Sequence, residues 1–140
     1  MKTPDGASND GSASLAGVRV IVVDDHVDSV ELFRIVLEMC GATAHAFESA
    51  HVAEAWLRTR GGDVVVSDLE VGGGVEPLLR SAKALGVPRL VVTGHVAPER
   101  LDAALRAGFD DYRIKPVEPT ELCRAVEKLL DRKRQADALP

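Results

Sequence analysis

Residues 18–25 read VRVIVVDD, a run of β-branched residues that ends abruptly in two carboxylates. An apolar run this short, with no polar alternation, fits a strand covered on both faces rather than one with a wet side. Residues 64–68, VVVSD, and 90–93, LVVT, repeat the pattern. Two weaker runs, 42–47 (ATAHAF) and 111–114 (DYRI), carry fewer large apolar side chains and are expected nearer a sheet edge.

Between these runs the apolar spacing switches to helical period. The first helix is predicted from Val27 to Cys40, with Val30, Phe33, Val36, Leu37 and Cys40 on one stripe and Gly41 as its stop. The second opens at a Ser49 cap, carries Val52, Ala55 and Trp56, and ends at Gly61-Gly62. The third, near Glu76 to Leu85, uses Leu78, Leu79, Ala82 and Leu85. The fourth has Pro98 in its first turn and closes at Gly108. The fifth follows Pro119 with Leu122, Ala125, Val126, Leu129 and Leu130 at i, i+3, i+4, i+7 and i+8, and fades into DRKRQ. Strands alternating with helices imply parallel pairing through right-handed crossovers, hence an open, doubly wound α/β sheet with helices on both faces.

The chain of 140 residues has room for one domain at roughly 150 residues each. Its 46% hydrophobic and 28% charged residues match a globular domain. Residues 1–16 open with turn formers and small polar residues and are expected to be a disordered tail, 17–133 the domain, and 134–140 a second tail. Lys and Arg number 17 against 22 Asp and Glu, a net charge of −5, which disfavours attraction to nucleic acid. The chain contains neither a secretory h-region nor a run of about 18 apolar residues, so no membrane insertion is expected and the cytoplasm is the expected compartment. Cys40 and Cys123 form no C-x-x-C, which argues against a disulfide scaffold or a zinc site; both fall on apolar stripes and read as small core residues.

In such a sheet ligands bind outside the carboxyl ends of the strands. Asp24 and Asp25 end the first strand, Asp68 the third and Thr93 the fourth, and Lys115-Pro116 follows the fifth. Three carboxylates together repel one another unless a cation compensates. A hard divalent ion such as Mg²⁺, held by one or two carboxylates and a phosphoryl oxygen, fits that set. Lys115 and Thr93 would then meet the remaining phosphoryl oxygens, and a carboxylate can itself be the covalent acceptor. Taken singly these residues are ordinary: an aspartate beside a helix start, a loop carboxylate, a strand-end hydroxyl, a strand terminator. Their coincidence at four strand ends is not.

With those residues in place, the span from Val18 to Leu130 resembles the receiver domains of two-component response regulators, chemotaxis-type single-domain receivers among them. The resemblance implies a flavodoxin-like strand order of 2-1-3-4-5. It implies that Asp68 is phosphorylated by a histidine kinase or histidine phosphotransfer protein, and that Mg²⁺ is held by Asp25, Asp68 and the Glu70 backbone carbonyl, with Asp24 acting mainly through water. Thr93 and Lys115 would grip the phosphoryl group, and Tyr112 would be a switch aromatic responding to Thr93. The output partner would be a protein bound at the fourth helix, fifth strand and fifth helix, where Arg100, Arg106, Arg113, Arg124 and Lys128 are candidate charges. The chain departs from the family where DLEVGGGVEPLLR follows the acceptor, with Gly72 in place of the usual proline. Glu70 and His95 occupy positions that influence phosphoryl lifetime in the family. His26 and His95 otherwise read as solvated loop residues.

Two other functions are open to these residues. A small Mg²⁺ phosphohydrolase would use Asp68 as nucleophile and Glu70 as general acid/base, yet the cap insertions of the haloacid-dehalogenase family are missing. A receiver-like interaction module working without phosphorylation has the triple glycine as its only support, and the complete acidic set, Thr93 and Lys115 count against it. An enzyme acting on external substrates is not expected; the chemistry would be confined to the chain's own phosphorylation and dephosphorylation.

Overall fold

The computed structural model describes residues 14–94 and 96–139. The chain runs β1 (Arg19–Val23), α1 (Val27–Met39), β2 (Thr43–Phe47), α2 (Ala50–Arg60), β3 (Val64–Ser67), α3 (Glu76–Ala84), β4 (Arg89–Thr93), α4 (Pro98–Ala107), β5 (Asp111–Ile114) and α5 (Pro119–Ala138). All pairings are parallel, in the order β2-β1-β3-β4-β5. The two weaker runs are the edge strands, and the valine-rich ones lie inside.

Alternation along each strand divides the core into two layers. Val20, Val22, Val64, Val66, Leu90 and Val92 point to the face covered by α1 and α5, against Phe33, Leu37, Leu122, Val126 and Leu129. Ile21, Val23, Val65 and Val91 point to the other face, against Leu57 of α2, Leu78 and Leu79 of α3, and Ala104 of α4. Both strand faces are thus dry, which is why the central strands tolerate no polar alternation.

Local chemistry sets the helix ends. The Ser49 hydroxyl accepts the Val52 N–H at 3.3 Å, as its cap position requires. Gly41 follows α1 with φ of +103°, a left-handed conformation that favours glycine. In the loop after β3, Gly73 and Gly74 take positive φ and Gly72 does not. The Lys115-Pro116 peptide is cis. α5 continues to Ala138, beyond the point where its apolar pattern fades. Asp131 with Arg134 and Lys133 with Asp137 pair along its exposed surface and support those last turns.

Three expectations are corrected. Residues 134–138, expected in the second tail, are helical, since α5 runs to Ala138. Leu15, placed in the N-terminal tail, is buried, and its N–H donates to the Cys40 carbonyl at 2.8 Å; the tail expected over 1–16 otherwise lies mostly outside the described residues. Cys40 and Cys123 are not independent core residues but are joined as a disulfide. Their separation of 83 residues concealed this: α1 and α5 lie side by side on one sheet face, which brings the two Cα atoms to 6.7 Å. Among the described residues no helix is long and apolar enough to cross a membrane.

Candidate functional site

The sheet hydrogen bonding extends one residue past several strands. The Asp24 N–H donates to the Phe47 carbonyl (3.1 Å), Asp68 to Val23 (2.8 Å) and Lys115 to Thr93 (2.7 Å). Each polar residue is therefore held in register with its neighbour before its side chain makes any contact. Because β1, β3, β4 and β5 are adjacent, the side chains of Asp24, Asp68, Thr93 and Lys115 converge at one sheet edge.

Asp24 has no exposed surface, Asp68 and Thr93 are buried, and Asp25 is exposed. Thr93 Oγ1 donates to Asp68 Oδ1 at 2.9 Å. Lys115 Nζ donates to Asp24 Oδ2 at 2.7 Å and to Asp68 Oδ2 at 3.2 Å, and lies 5.7 Å from the centre of the Phe33 ring. The Glu70 N–H adds a 3.3 Å contact to Asp68 Oδ1. Both oxygens of Asp68 are thus engaged, one by a hydroxyl and one by an ammonium. Burial on its own pulls the Lys115 pKa down. The hydrogen bond to Asp24 and the charges of Asp68 and Asp24 outweigh burial, so the ammonium is held above the ordinary lysine value.

His26 is the solvated loop residue that the sequence predicts, its side chain 73% exposed, and it also reaches this cluster. Its N–H donates to Asp24 Oδ1 at 2.9 Å, and its Nδ1 lies 3.1 Å from Asp24 and 3.2 Å from Asp25. The one available signal was its place directly after the acidic pair. Ligand atoms of Asp24, Asp25, His26 and Asp68 all lie within 4.8 Å of one another. That oxygen-rich set, part buried and open on the Asp25 side, fits a hard divalent cation. The Glu70 side chain turns away from the cluster to Arg100 of α4, 2.7 Å away, a contact with no signal in the sequence. Tyr112 lies on edge strand β5, 37% exposed and outside the cluster. His95 lies outside the described residues.

Such a site can hold a phosphoryl group at an aspartate, with one hydroxyl and one ammonium ready to meet its oxygens and an acidic set ready for a cation. A family model for the response regulator receiver domain matches residues 20–127. An uncharacterised 14.6 kDa protein of Leptolyngbya boryana is 35% identical over 123 residues, covering 82% of this chain and 92% of that protein. The alginate biosynthesis transcriptional regulatory protein AlgB of Pseudomonas aeruginosa is 33% identical over 116 residues. There the match covers 81% of this chain but only 26% of the relative. Among solved structures, a CheY-like response regulator receiver domain protein of Methanospirillum hungatei superposes with a TM-score of 0.77 at 25% identity, covering 88% of this chain and 99% of that one. NtrX of Brucella abortus superposes with a TM-score of 0.79 at 26% identity, covering 86% of this chain and 28% of that one. The strand order, the acidic edge with its lysine and the family match agree, and the chain belongs to the response regulator receiver domain family.

Proposed function

We propose that this chain is a phosphorylation-dependent signalling receiver with Asp68 as its acceptor. The observation that carries this reading is the pairing of both Asp68 oxygens, by Thr93 Oγ1 and Lys115 Nζ, in a buried position at the sheet edge. A carboxylate held this way keeps its orientation while an incoming phosphoryl group meets a hydroxyl and an ammonium already in place.

An Asp68 oxygen attacks phosphorus, and the bond from phosphorus to the donor's imidazole nitrogen breaks. The imidazole leaves neutral, with its proton drawn from the donor site or solvent. Asp25, Asp68 and the Glu70 carbonyl would hold Mg²⁺, with Asp24 acting mainly through water, and the ion would offset the negative charge of the phosphoryl oxygens. Thr93 and Lys115 then turn from Asp68 and Asp24 toward the phosphoryl oxygens. Thr93 and Lys115 stand at the ends of β4 and β5, so their movement biases the α4, β5 and α5 surface, with Tyr112 as the aromatic that follows Thr93. The donor is a histidine kinase or histidine phosphotransfer protein, the output partner is a protein, and the working compartment is the cytoplasm.

Intact mass after incubation with Mg²⁺ and acetyl phosphate tests this reading. The expected result is a gain of one phosphoryl group that is lost with chelator and with Asp68→Asn. A gain that survives Asp68→Asn refutes the acceptor assignment. Multiple turnover of a simple phosphate ester would make the chain a phosphohydrolase, and no gain under any condition would leave an interaction module that works unphosphorylated.

A further inference from the structure

We propose that Cys40 and Cys123 are a reversible modification site, a thiol–disulfide pair that fastens α1 to α5 according to the thiol–disulfide balance around the protein. The inference goes beyond the receiver chemistry and rests on neither metal nor phosphoryl group. These are the two cysteines of the chain. They are brought together across 83 residues, and their Cα separation of 6.7 Å falls within the span that a disulfide bridges without backbone movement.

The surroundings suit both redox states. Cys123 is fully buried on α5, and its sulfur lies 3.7 Å from the Val36 carbonyl of α1. Residue 40 is the ordinary helical donor to that carbonyl, but the Cys40 N–H is turned to Leu37 at 3.1 Å. A reduced Cys123 thiol therefore has an acceptor facing it, so breaking the disulfide strands no buried polar group. Cys40, at the end of α1, is only half-buried, while Cys123 is sealed. Thiol exchange is thus directed to one sulfur.

In reduction, a low-molecular-weight thiolate attacks Cys40 Sγ. The bond between the two protein sulfurs breaks, and the Cys123 sulfur takes up a proton. A second thiolate then attacks the mixed disulfide and frees Cys40. In sum, two small thiols become one small disulfide, and the protein disulfide becomes two thiols. Oxidation by a small disulfide of the glutathione class is the same sequence reversed. A pair of this kind in a reducing compartment acts as a sensor rather than a permanent brace. The closed loop spans everything from β2 to β5, and α5 is one wall of the output surface proposed above, so oxidation limits movement of that wall against α1.

The test uses the full chain in glutathione buffers from fully reduced to strongly oxidising. Thiol alkylation after an acid quench and unfolding in denaturant, followed by intact mass, counts free cysteines, and thermal melting is followed alongside. The expected result is a monomer that takes two labels when reduced and none when oxidised. The reduced form should melt lower by about 5–15 °C. Cys40→Ser should remove all redox dependence of melting, and Cys123→Ala provides the same comparison from the other partner. Two labels at every buffer ratio, a glutathione adduct on Cys40 as the end product of full oxidation, a disulfide between two chains, or equal melting of both forms would each overturn the proposal. None of these readouts involves phosphorylation, so failure here is separable from failure of the receiver reading.

Discussion

At Asp24 a carboxylate with no exposed surface sits 2.7 Å from the Lys115 ammonium, which also reaches Asp68. Removing the lysine leaves buried negative charge without that compensation, and such a loss costs about 3–5 kcal/mol. Lys115→Ala should show this as a lower urea midpoint with an unchanged slope. The pH dependence carries a definite sign. The folded pKa of Lys115 is raised, so its contribution to stability is complete below the ordinary lysine value of about 10.4. That contribution is lost as pH rises through the folded value. Wild-type stability should therefore fall at alkaline pH by an increment that Lys115→Met lacks. At this scale the sequence already showed which residue types reach the edge. It did not show that Lys115 prefers Asp24 in this state or that His26 joins the acidic pair, because both depend on distances of a few ångströms between strand ends.

Glycines separate two kinds of constraint at the level of elements. A Cβ on Gly41 would lie 3.1 Å from the Ala16 nitrogen and 3.2 Å from its Cα, both backbone atoms, at φ of +103°. Gly41→Ala should therefore destabilise by more than about 1 kcal/mol in chemical denaturation. A Cβ on Gly72 would meet nothing within 4 Å, and its φ is not positive. Gly72→Ala should stay within about 0.5 kcal/mol of the parent. Two equal midpoints would refute this contrast. The Gly41 stop of α1 and the Ser49 cap of α2 were legible because capping is local chemistry. The last turns of α5 were not, because they face solvent and follow charge pairing rather than an apolar stripe.

Over the whole molecule, one sheet divides two cores that share no side-chain layer. Leu129→Ala, on the α1 and α5 side, should cost about 2–5 kcal/mol, and Ile21→Val, on the opposite side, about 0.5–1.5 kcal/mol. With the sheet between them and no common partner, the double variant should show the sum within about 0.5 kcal/mol. A larger deviation in denaturant melts would mean that the sheet transmits strain between its faces.

The sequence by itself determined the fold class, the edge positions of the two weak strands and the acidic edge with its threonine and lysine. Each of these follows from periodicity within a short window or from residues standing directly at strand ends. Only the tertiary structure decided that Leu15 joins the core, that Glu70 reaches Arg100, and that Cys40 meets Cys123. Those contacts link residues 25 or more positions apart, and their distances are set by how helices lie against the sheet, which no local pattern encodes.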